Sequence, residues 1–514
     1  MIMTLREKIL KTFIVTIREV NKHGGPEKFF KEYPVGGMYY GEGSVLKDEN
    51  GTEIGTQFSW ETLNECKKYS TKKLLICVDA CSVRGQKFTG GAGNLSANPD
   101  WEQDAFDVGK ANGMQLNDRG VDWLLGPAID LCFDHTTGWG MTNDPVKAAK
   151  IYRQMIKGLH SQGVCATAKH FPGMGADHLN MHLCPGRNPL PFDKWMETYG
   201  YTYKQMIEEG VDCIMTTHLR LESYDNETHD GYLPIATFSK KLTTDLLKGE
   251  LGFKGAVVTD ALVMGGMSTG DLVAESVQAF KCGADLLLWP PVEAAAVIEE
   301  KILSGEIPMS RLEDALERIE RMENFRNKAL EEKAYDTPDP EFVDNYRRNS
   351  IPKSICLLRN ELNLLPLDAK KYKKVLIVNG TEQEDSDSCN LLKAEFEARG
   401  IEADIKRDIY DKDSLVAWQD DIDALQAPYD LVLFNIAANH GIWSTPLMII
   451  WASHQFDKAK KVIVHYGNPY FADDYFPEDP TYIEMNCKAN ETSAKALIDR
   501  IFGDAPFTGL PRLI

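Results

Sequence analysis

The sequence has no run of about 18 apolar residues, which excludes a hydrophobic membrane-spanning helix. It is short of positive charge: 57 Lys and Arg stand against 77 Asp and Glu, a formal net charge of −20. So acidic a chain is a poor partner for a nucleic-acid backbone or an anionic membrane. Its 11 cysteines are scattered, with no C-x-x-C pair. That spacing argues against a paired-thiolate metal or redox centre. Cys77, Cys132, Cys165 and Cys213 fall in apolar runs and read as reduced core thiols. The stretch Met1 to Lys8 holds no apolar h-region, so no secretory leader is expected. No short-period repeat or low-complexity segment is visible. Gly36-Gly37 and Gly265-Gly266 begin no G-x-G-x-x-G motif and read as close-packing points. These absences predict a cytoplasmic protein that binds neither nucleic acid nor membrane, and they leave its oligomeric state open.

The chain does have length and apolar content. At 514 residues and 43% hydrophobic, it can bury two or three cores. Eight short apolar runs precede residue 290: Phe13–Ile17, Val35–Tyr40, Leu74–Asp79, Val121–Pro127, Val164–His170, Val211–Thr217, Gly255–Asp260 and Ala284–Trp289. Continuous rather than alternating apolarity suits parallel strands buried on both faces. Helical patterns fill most of the intervals, including Glu102–Asp118, Asp144–Gln162 and Lys240–Lys248 with Ser239 as N-cap. An α/β fold of (β/α)8 TIM-barrel type follows over residues 1–330, with a doubly wound sheet as the competing reading. Val297–Arg326 reads as one long amphipathic helical region. Residues 331–349, with Asp336-Thr337-Pro338-Asp339-Pro340, read as a linker. A second α/β domain over 350–514 is expected to hold strands at Lys374–Val378, Leu431–Ala437 and Val462–Tyr466 and a helix at Cys389–Arg399.

Polar residues fall where the apolar runs stop. The third run ends in Asp79, the fifth in Lys169-His170, the sixth in Thr216-Thr217-His218 and the seventh in Asp260. In a barrel these ends meet at one mouth. After the fifth run, Lys169-His170-Phe171-Pro172-Gly173-Met174-Gly175 opens a loop that continues through Asp177, His178, Asn180 and His182. Carboxylates and histidines without a phosphate motif suit proton transfer and nucleophilic attack. Asp260 could attack an electrophilic carbon, and a histidine could protonate a leaving group and then deprotonate water. Lys169, Asp79 and His170 could hold hydroxyls, a pattern that suits a carbohydrate. His178 and His182 are four residues apart, but the glycines and Pro172 make this a loop, where that spacing means little for a metal. No metal and no cofactor is expected.

These residues resemble the family 3 glycoside hydrolases, and within them the β-N-acetylglucosaminidases. The segment from Lys169 to His182 matches the family's K-H-F-P-G-H-G followed, four residues on, by D-S-H. Gly126-Pro127-Ala128-Ile129-Asp130-Leu131 is similar to A-P-V-V-D-V, and Val257-Val258-Thr259-Asp260 to the end of G-V-V-x-S-D. Ile355-Cys356-Leu357-Leu358-Arg359-Asn360, Asn363-Leu364-Leu365-Pro366-Leu367 and Tyr466-Gly467-Asn468-Pro469-Tyr470 resemble its C-terminal three-layer α/β sandwich domain. The resemblance implies a retaining exo-β-glycosidase acting on a small carbohydrate or glycoconjugate, first of all a terminal N-acetylhexosaminide. Asp260 is then the nucleophile and His182 the acid/base, with Asn180 beside it. Asp79, Lys169, His170, Trp139, His218 and Met264 are the expected substrate contacts, with His218 open between ligand and structural rim residue.

Four departures from the pattern surround this pocket. Asn180 replaces the aspartate that pairs with the histidine, so the imidazolium donates its hydrogen bond to a neutral oxygen rather than to a charge. Trp139 replaces an arginine fork. Asp79-Ala80-Cys81-Ser82-Val83 keeps only the first residue of D-Q-E-G-G, and Ala261 replaces the second aspartate of S-D-D. Two further readings stay open: a phosphorylase or transglycosylase on the same scaffold, and a sugar-binding protein that has lost catalysis.

Overall fold

A computed structural model describes the whole chain except residues 1–2, 41–44, 48–52, 57–59, 80–94, 134–139, 229–230, 268, 338, 382–385, 411–417, 438–444, 468–469, 488 and 512–514. The chain forms two compact units: Met1–Ser82 with Ala105–Asp339, and Val83–Asp104 with Pro340–Ile514.

The first unit is built on eight parallel strands: β1 (Phe13–Val15), β2 (Gly37–Tyr39), β3 (Leu75–Val78), β4 (Trp123–Leu124), β5 (Cys165–Phe171), β6 (Cys213–Thr216), β7 (Ala256–Thr259) and β8 (Leu287–Leu288). Each pairs with the next, and β8 pairs with β1. The ring closes between β7 and β8, where Val258 bridges Leu286 and the Thr259 amide donates to the Leu286 carbonyl at 3.1 Å. Seven of the eight expected runs contain their strand, the fifth strand running one residue past its run to Phe171, and the structure is a TIM-type barrel.

Side chains alternate between inside and outside along each strand. Ile14, Leu75, Cys77, Trp123, Cys165, Cys213, Met215, Ala256, Val258, Leu286 and Leu288 share one buried cluster, the barrel interior. Ile319 and Met322, from the helix Met309–Glu331, join that cluster. Gly36 and Gly37 allow tight approach: a Cβ on Gly36 would lie 1.9 Å from the Lys11 carbonyl oxygen, and one on Gly37 2.3 Å from that of Leu75.

The N-terminal ends of the strands carry a repeated device. Asp122, Asp212 and Asp285 stand at the starts of β4, β6 and β8. Their carboxylates accept from the backbone N–H of Ile76 in β3 (3.0 Å), Ala166 in β5 (2.8 Å) and Val257 in β7 (2.8 Å). Each also takes a cation or histidine from the surrounding layer: Arg326 Nε at 2.9 Å on Asp122, His160 Nε2 at 2.8 Å on Asp212, and Lys248 Nζ at 2.7 Å, with Arg311, on Asp285. One acid thus joins two strands and an outer helix.

Helices depart from expectation at two places. Val297–Arg326 is not one element: it holds the end of Ala294–Leu303 and most of Met309–Glu331, separated by Gly305 at φ 82° and Pro308. Ser239 does accept from the Leu242 amide, at 2.9 Å, but the helix it opens, Lys241–Glu250, is wound as a π-helix. The expected linker over 331–349 is not structureless either, since Pro340–Lys353 is helical.

The second unit is a three-layer α/β sandwich. Its strands are β9 (Ile355–Asn360), β10 (Lys374–Gly380), β11 (Glu402–Lys406), β12 (Leu431–Ile436), β13 (Lys461–His465) and β14 (Thr481–Met485). The sheet order is β9-β14-β13-β12-β10-β11, with only β9 antiparallel. Val375, Ile377, Leu431 and Leu433 face the helices Asp387–Glu397 and Glu491–Ile501, whereas Leu376, Val378, Val432 and Phe434 face Ile422, Ile449 and Phe471. The turn Leu95–Ala97 belongs to this unit, and the Ala97 carbonyl accepts from the Leu510 amide at 2.7 Å. Sequence reading placed β10, β12 and β13 but not β11 or β14.

Two measurements test the aspartate device. Asp285→Ala removes the buried one of the two carboxylates on Lys248, leaving it only Asp314, and strips the Val257 amide of its acceptor; it should cost the barrel ~3–5 kcal/mol, read from the shift of its denaturant unfolding transition. Burial pushes the His160 imidazole down, but the hydrogen bond and charge of Asp212 more than offset it, so it lies above its ordinary 6.5. Its stabilisation is therefore full below 6.5 and fades as pH rises through the raised folded value. Wild type should exceed His160→Gln in stability by more at about pH 6 than at about pH 9.

Candidate active site

The inward row of side chains continues past the ends of the strands. Two residues beyond Cys77 is Asp79, two beyond Met215 is Thr217, and two beyond Val258 is Asp260; within β5 the alternation Cys165, Thr167, Lys169 does the same. Apolar barrel layers give way to polar groups at the C-terminal mouth because solvent begins there.

Asp260 lies partly exposed at that mouth. Its backbone amide donates to the Thr216 carbonyl at 2.7 Å. Thr217 Oγ1 donates to Oδ2 at 2.8 Å, and the Ala261 amide to Oδ1 at 2.8 Å. Burial alone would raise this carboxyl, but the charges of His170, His218 and Lys169 and the Ala261 amide hold it below its ordinary 3.8. Asp260 is therefore an anion at neutral pH, held in one orientation. Thr217 escaped sequence reading; the inward alternation was the signal that could have found it.

Lys169 is 2% exposed and donates to Asp79 Oδ2 at 2.9 Å. His170 Nδ1 meets Asp130 Oδ2 at 2.7 Å. The other oxygen of Asp130 accepts from the amides of His170 (3.1 Å) and Met174 (2.8 Å). A carboxylate only accepts, so Nδ1 carries the hydrogen. Asp130, 1% exposed, thus orients the turn and the ring together.

The turn itself is rigidly supported. Gly173 has φ 112°, and a Cβ there would lie 2.1 Å from the Tyr199 ring. Trp195 Nε1 donates to the Pro172 carbonyl (2.7 Å), Asn188 Nδ2 to that of Gly173 (3.0 Å) and Tyr199 OH to that of Met174 (2.8 Å). These partners satisfy carbonyls that no secondary structure serves.

Beyond the turn, Asp177 accepts from the amides of Leu179 (3.2 Å) and Arg187 (2.9 Å). Asn180 and His182 are exposed. Asn180 Oδ1 accepts from the His182 backbone amide at 3.0 Å and lies 2.8 Å from His182 Nδ1. The backbone N–H identifies the amide oxygen, so Nδ1 is the protonated nitrogen and Nε2 the one left to exchange protons. This loop is stitched to the segment after Asp260. Gly265 N donates to the His182 carbonyl and Gly266 N to that of Met181, each at 3.0 Å. A Cβ on Gly266 would lie 2.4 Å from the Met181 carbonyl oxygen, so the glycines are close-packing points.

His218 does not fit the part of a sugar ligand. It is fully buried, with Nδ1 2.9 Å from Thr237 Oγ1 and Nε2 3.1 Å from the Ala261 carbonyl oxygen. Burial lowers it from its ordinary 6.5, and because a carbonyl only accepts, Nε2 carries the hydrogen between it and Ala261. Strand alternation is the reason: Thr217 takes the inward position and His218 the wall. Met264 is 9% exposed and packs with Met174, Met181 and Ala261. Trp139 lies outside the described residues. Among the described residues, the grouping with metal-ligand spacing is Glu19, His23 and Glu293, not His178 and His182.

The family model "Glycosyl hydrolase family 3 N terminal domain" matches residues 4–322. A β-N-acetylglucosaminidase/β-glucosidase of Cellulomonas fimi is 27% identical over 285 residues, covering 52% of this chain and 50% of that protein. The chain thus spans about half the length of that relative. A β-hexosaminidase of Idiomarina loihiensis is 28% identical over 274 residues, 51% of this chain and 79% of that protein. Among solved structures, the β-glucoside phosphorylase BglX bound to 2FGlc aligns with a TM-score of 0.81 at 22% identity, covering 100% of this chain and 94% of that one. With the model matched over most of the barrel, the chain belongs to glycosyl hydrolase family 3.

Proposed function

We propose that the chain is a retaining exo-β-glycosidase that removes a terminal β-linked sugar, foremost an N-acetylhexosaminide. The observation that carries this reading is the ionised Asp260 at the barrel mouth, on a segment hydrogen-bonded to the loop of His182. The names of the two relatives support a hexosaminide as the first substrate to try.

In the first step an Asp260 oxygen attacks the anomeric carbon, the glycosidic C–O bond breaks, and His182, entering the step as the imidazolium, protonates the departing oxygen from Nε2. In the second, Nε2 takes a proton from water, whose oxygen attacks the anomeric carbon and releases the Asp260 carboxylate. Thr217 and the Ala261 amide fix the attack direction. Lys169, Asp79 and His170 hold hydroxyls, with Asp130 positioning the histidine. His218, through the Ala261 carbonyl, and Met264, through packing, act as positioning residues rather than ligands.

A second reading rests on Asn180. An aspartate there would stabilise imidazolium by charge, whereas Asn180 fixes the tautomer and adds none. The acceptor side of the glycosyl-enzyme is then less negative, which favours an anionic acceptor such as phosphate.

Asp260→Gly should lower release of nitrophenol from nitrophenyl β-N-acetylglucosaminide by roughly a thousandfold or more. Azide should restore it, yielding the α-glycosyl azide; no rescue on any β-glycoside that the wild type cleaves would remove Asp260 as nucleophile. Asn180→Asp should raise hydrolysis and move the alkaline limb of the kcat profile to higher pH. Under the second reading it lowers turnover with phosphate instead, and the wild type releases sugar 1-phosphate.

A further inference from the structure

The last strand of the barrel ends on a residue that strand geometry does not favour. Leu286 and Leu288 point into the barrel, and alternation would turn Trp289 to the outer face. Instead the backbone turns left-handed at Trp289, with φ 65°. Its indole packs beside the interior cluster and meets the Tyr39 ring edge-on, centroids 5.1 Å apart at 73°. Tyr39 closes β2 on the inward row, in register with Cys77 of β3. The Leu262 amide, two residues past Asp260, donates to the Leu288 carbonyl at 3.1 Å, and the Trp289 amide to that of Ile14 at 2.9 Å. The indole therefore stands half-buried at the C-terminal mouth, next to the segment that follows Asp260.

Two costs coincide at this position. A bulky side chain avoids positive φ, and Pro290 pushes the residue before it toward extended backbone. The other non-glycine residues at positive φ among the described residues are Lys333, just past a helix end, and Asn363, in a turn. In addition, Trp289 Nε1 is shielded from water without a hydrogen-bond acceptor, which protein interiors avoid. Packing alone would be served by phenylalanine, with no donor to satisfy, and the turn alone by glycine or asparagine, with no strain. Backbone strain held at the rim of a site points to function. Asp79, Lys169 and Asp260 supply the mouth with polar groups. A sugar also presents C–H faces, which such groups do not serve and a flat indole does.

We propose that Trp289 is a further substrate-contacting residue, its indole ring stacking on a C–H face of the terminal sugar. Tyr39, edge-on to that ring, is its positioning residue. The contact rests on reading the mouth as a sugar site and not on the reaction there.

Calorimetric titration of the full chain with N-acetylglucosamine and, separately, with glucose tests it, together with the kinetics of the nitrophenyl β-glycoside that the wild type cleaves fastest. Stacking acts alike on bound substrate and transition state. Trp289→Leu should therefore weaken sugar binding and raise KM about tenfold, with kcat within about twofold of wild type. Trp289→Phe keeps a ring and should lose about threefold in both, and it remains a fair test if Trp289→Leu misfolds. A merely structural plug would lower the unfolding midpoint and leave affinity and KM as they are. Unchanged affinity and KM in either variant, or a loss in Trp289→Phe as large as that in Trp289→Leu, would overturn the stacking contact and leave the sugar site standing. Failure of the wild type to bind either sugar would overturn the sugar reading of the mouth, and the contact with it.

Discussion

A carboxylate at the start of every second strand from β4 to β8, buried at Asp122 and Asp285 and half-buried at Asp212, is the constraint on which this barrel depends. A parallel strand leaves backbone amides unserved where its neighbour has not yet begun. Asp122, Asp212 and Asp285 serve those amides and draw Arg326, His160 and the Lys248–Arg311 pair inward. A carboxylate this deep is tolerable only with its charge matched, so the outer helices are bound electrostatically to the floor as well as by apolar packing.

Fixing the floor fixes the mouth. With strand starts pinned, the two-residue alternation sets which side chain from each strand faces inward at the top. Asp79, Lys169, Thr217 and Asp260 take those positions, while His218 takes the wall and supports the segment after Asp260 through the Ala261 carbonyl. The carboxylate of Asp260 stays ionised because neighbouring positive charge outweighs its burial. Beside it, the turn after Lys169 needs no flexibility to place His170, since Asp130 holds its ring and two of its amides.

The loop of Asn180 and His182 differs in kind. It is exposed, and hydrogen bonds from Gly265 and Gly266 hold its backbone. Asn180 gives the imidazole a fixed tautomer without a charge. Orientation and electrostatic stabilisation, which a carboxylate supplies together, are thereby separated in this protein.

Much of this was legible in the chain alone. Eight continuous apolar runs mark strands buried on both faces, and buried parallel strands with helices between them close into few architectures. The polar residues ending four of the runs marked the mouth, because strand ends are where an apolar layer meets water. Asp79, Lys169, His170 and Asp260 were therefore readable, as was the pairing of Asn180 with His182 two residues on. What the sequence left open were matters of facing and partnership. Whether Thr217 or His218 points inward depends on strand phase, which a one-residue shift reverses. The partners of Asp130, Asp122 and Asp285 lie 26 to 204 residues away. The break between Leu303 and Met309 and the helix at Pro340–Lys353 were likewise settled by packing. Apolar period and strand-end chemistry are local and so are written in the sequence. Inward facing and charge pairing arise only when distant segments share one space, and the tertiary structure alone decided them.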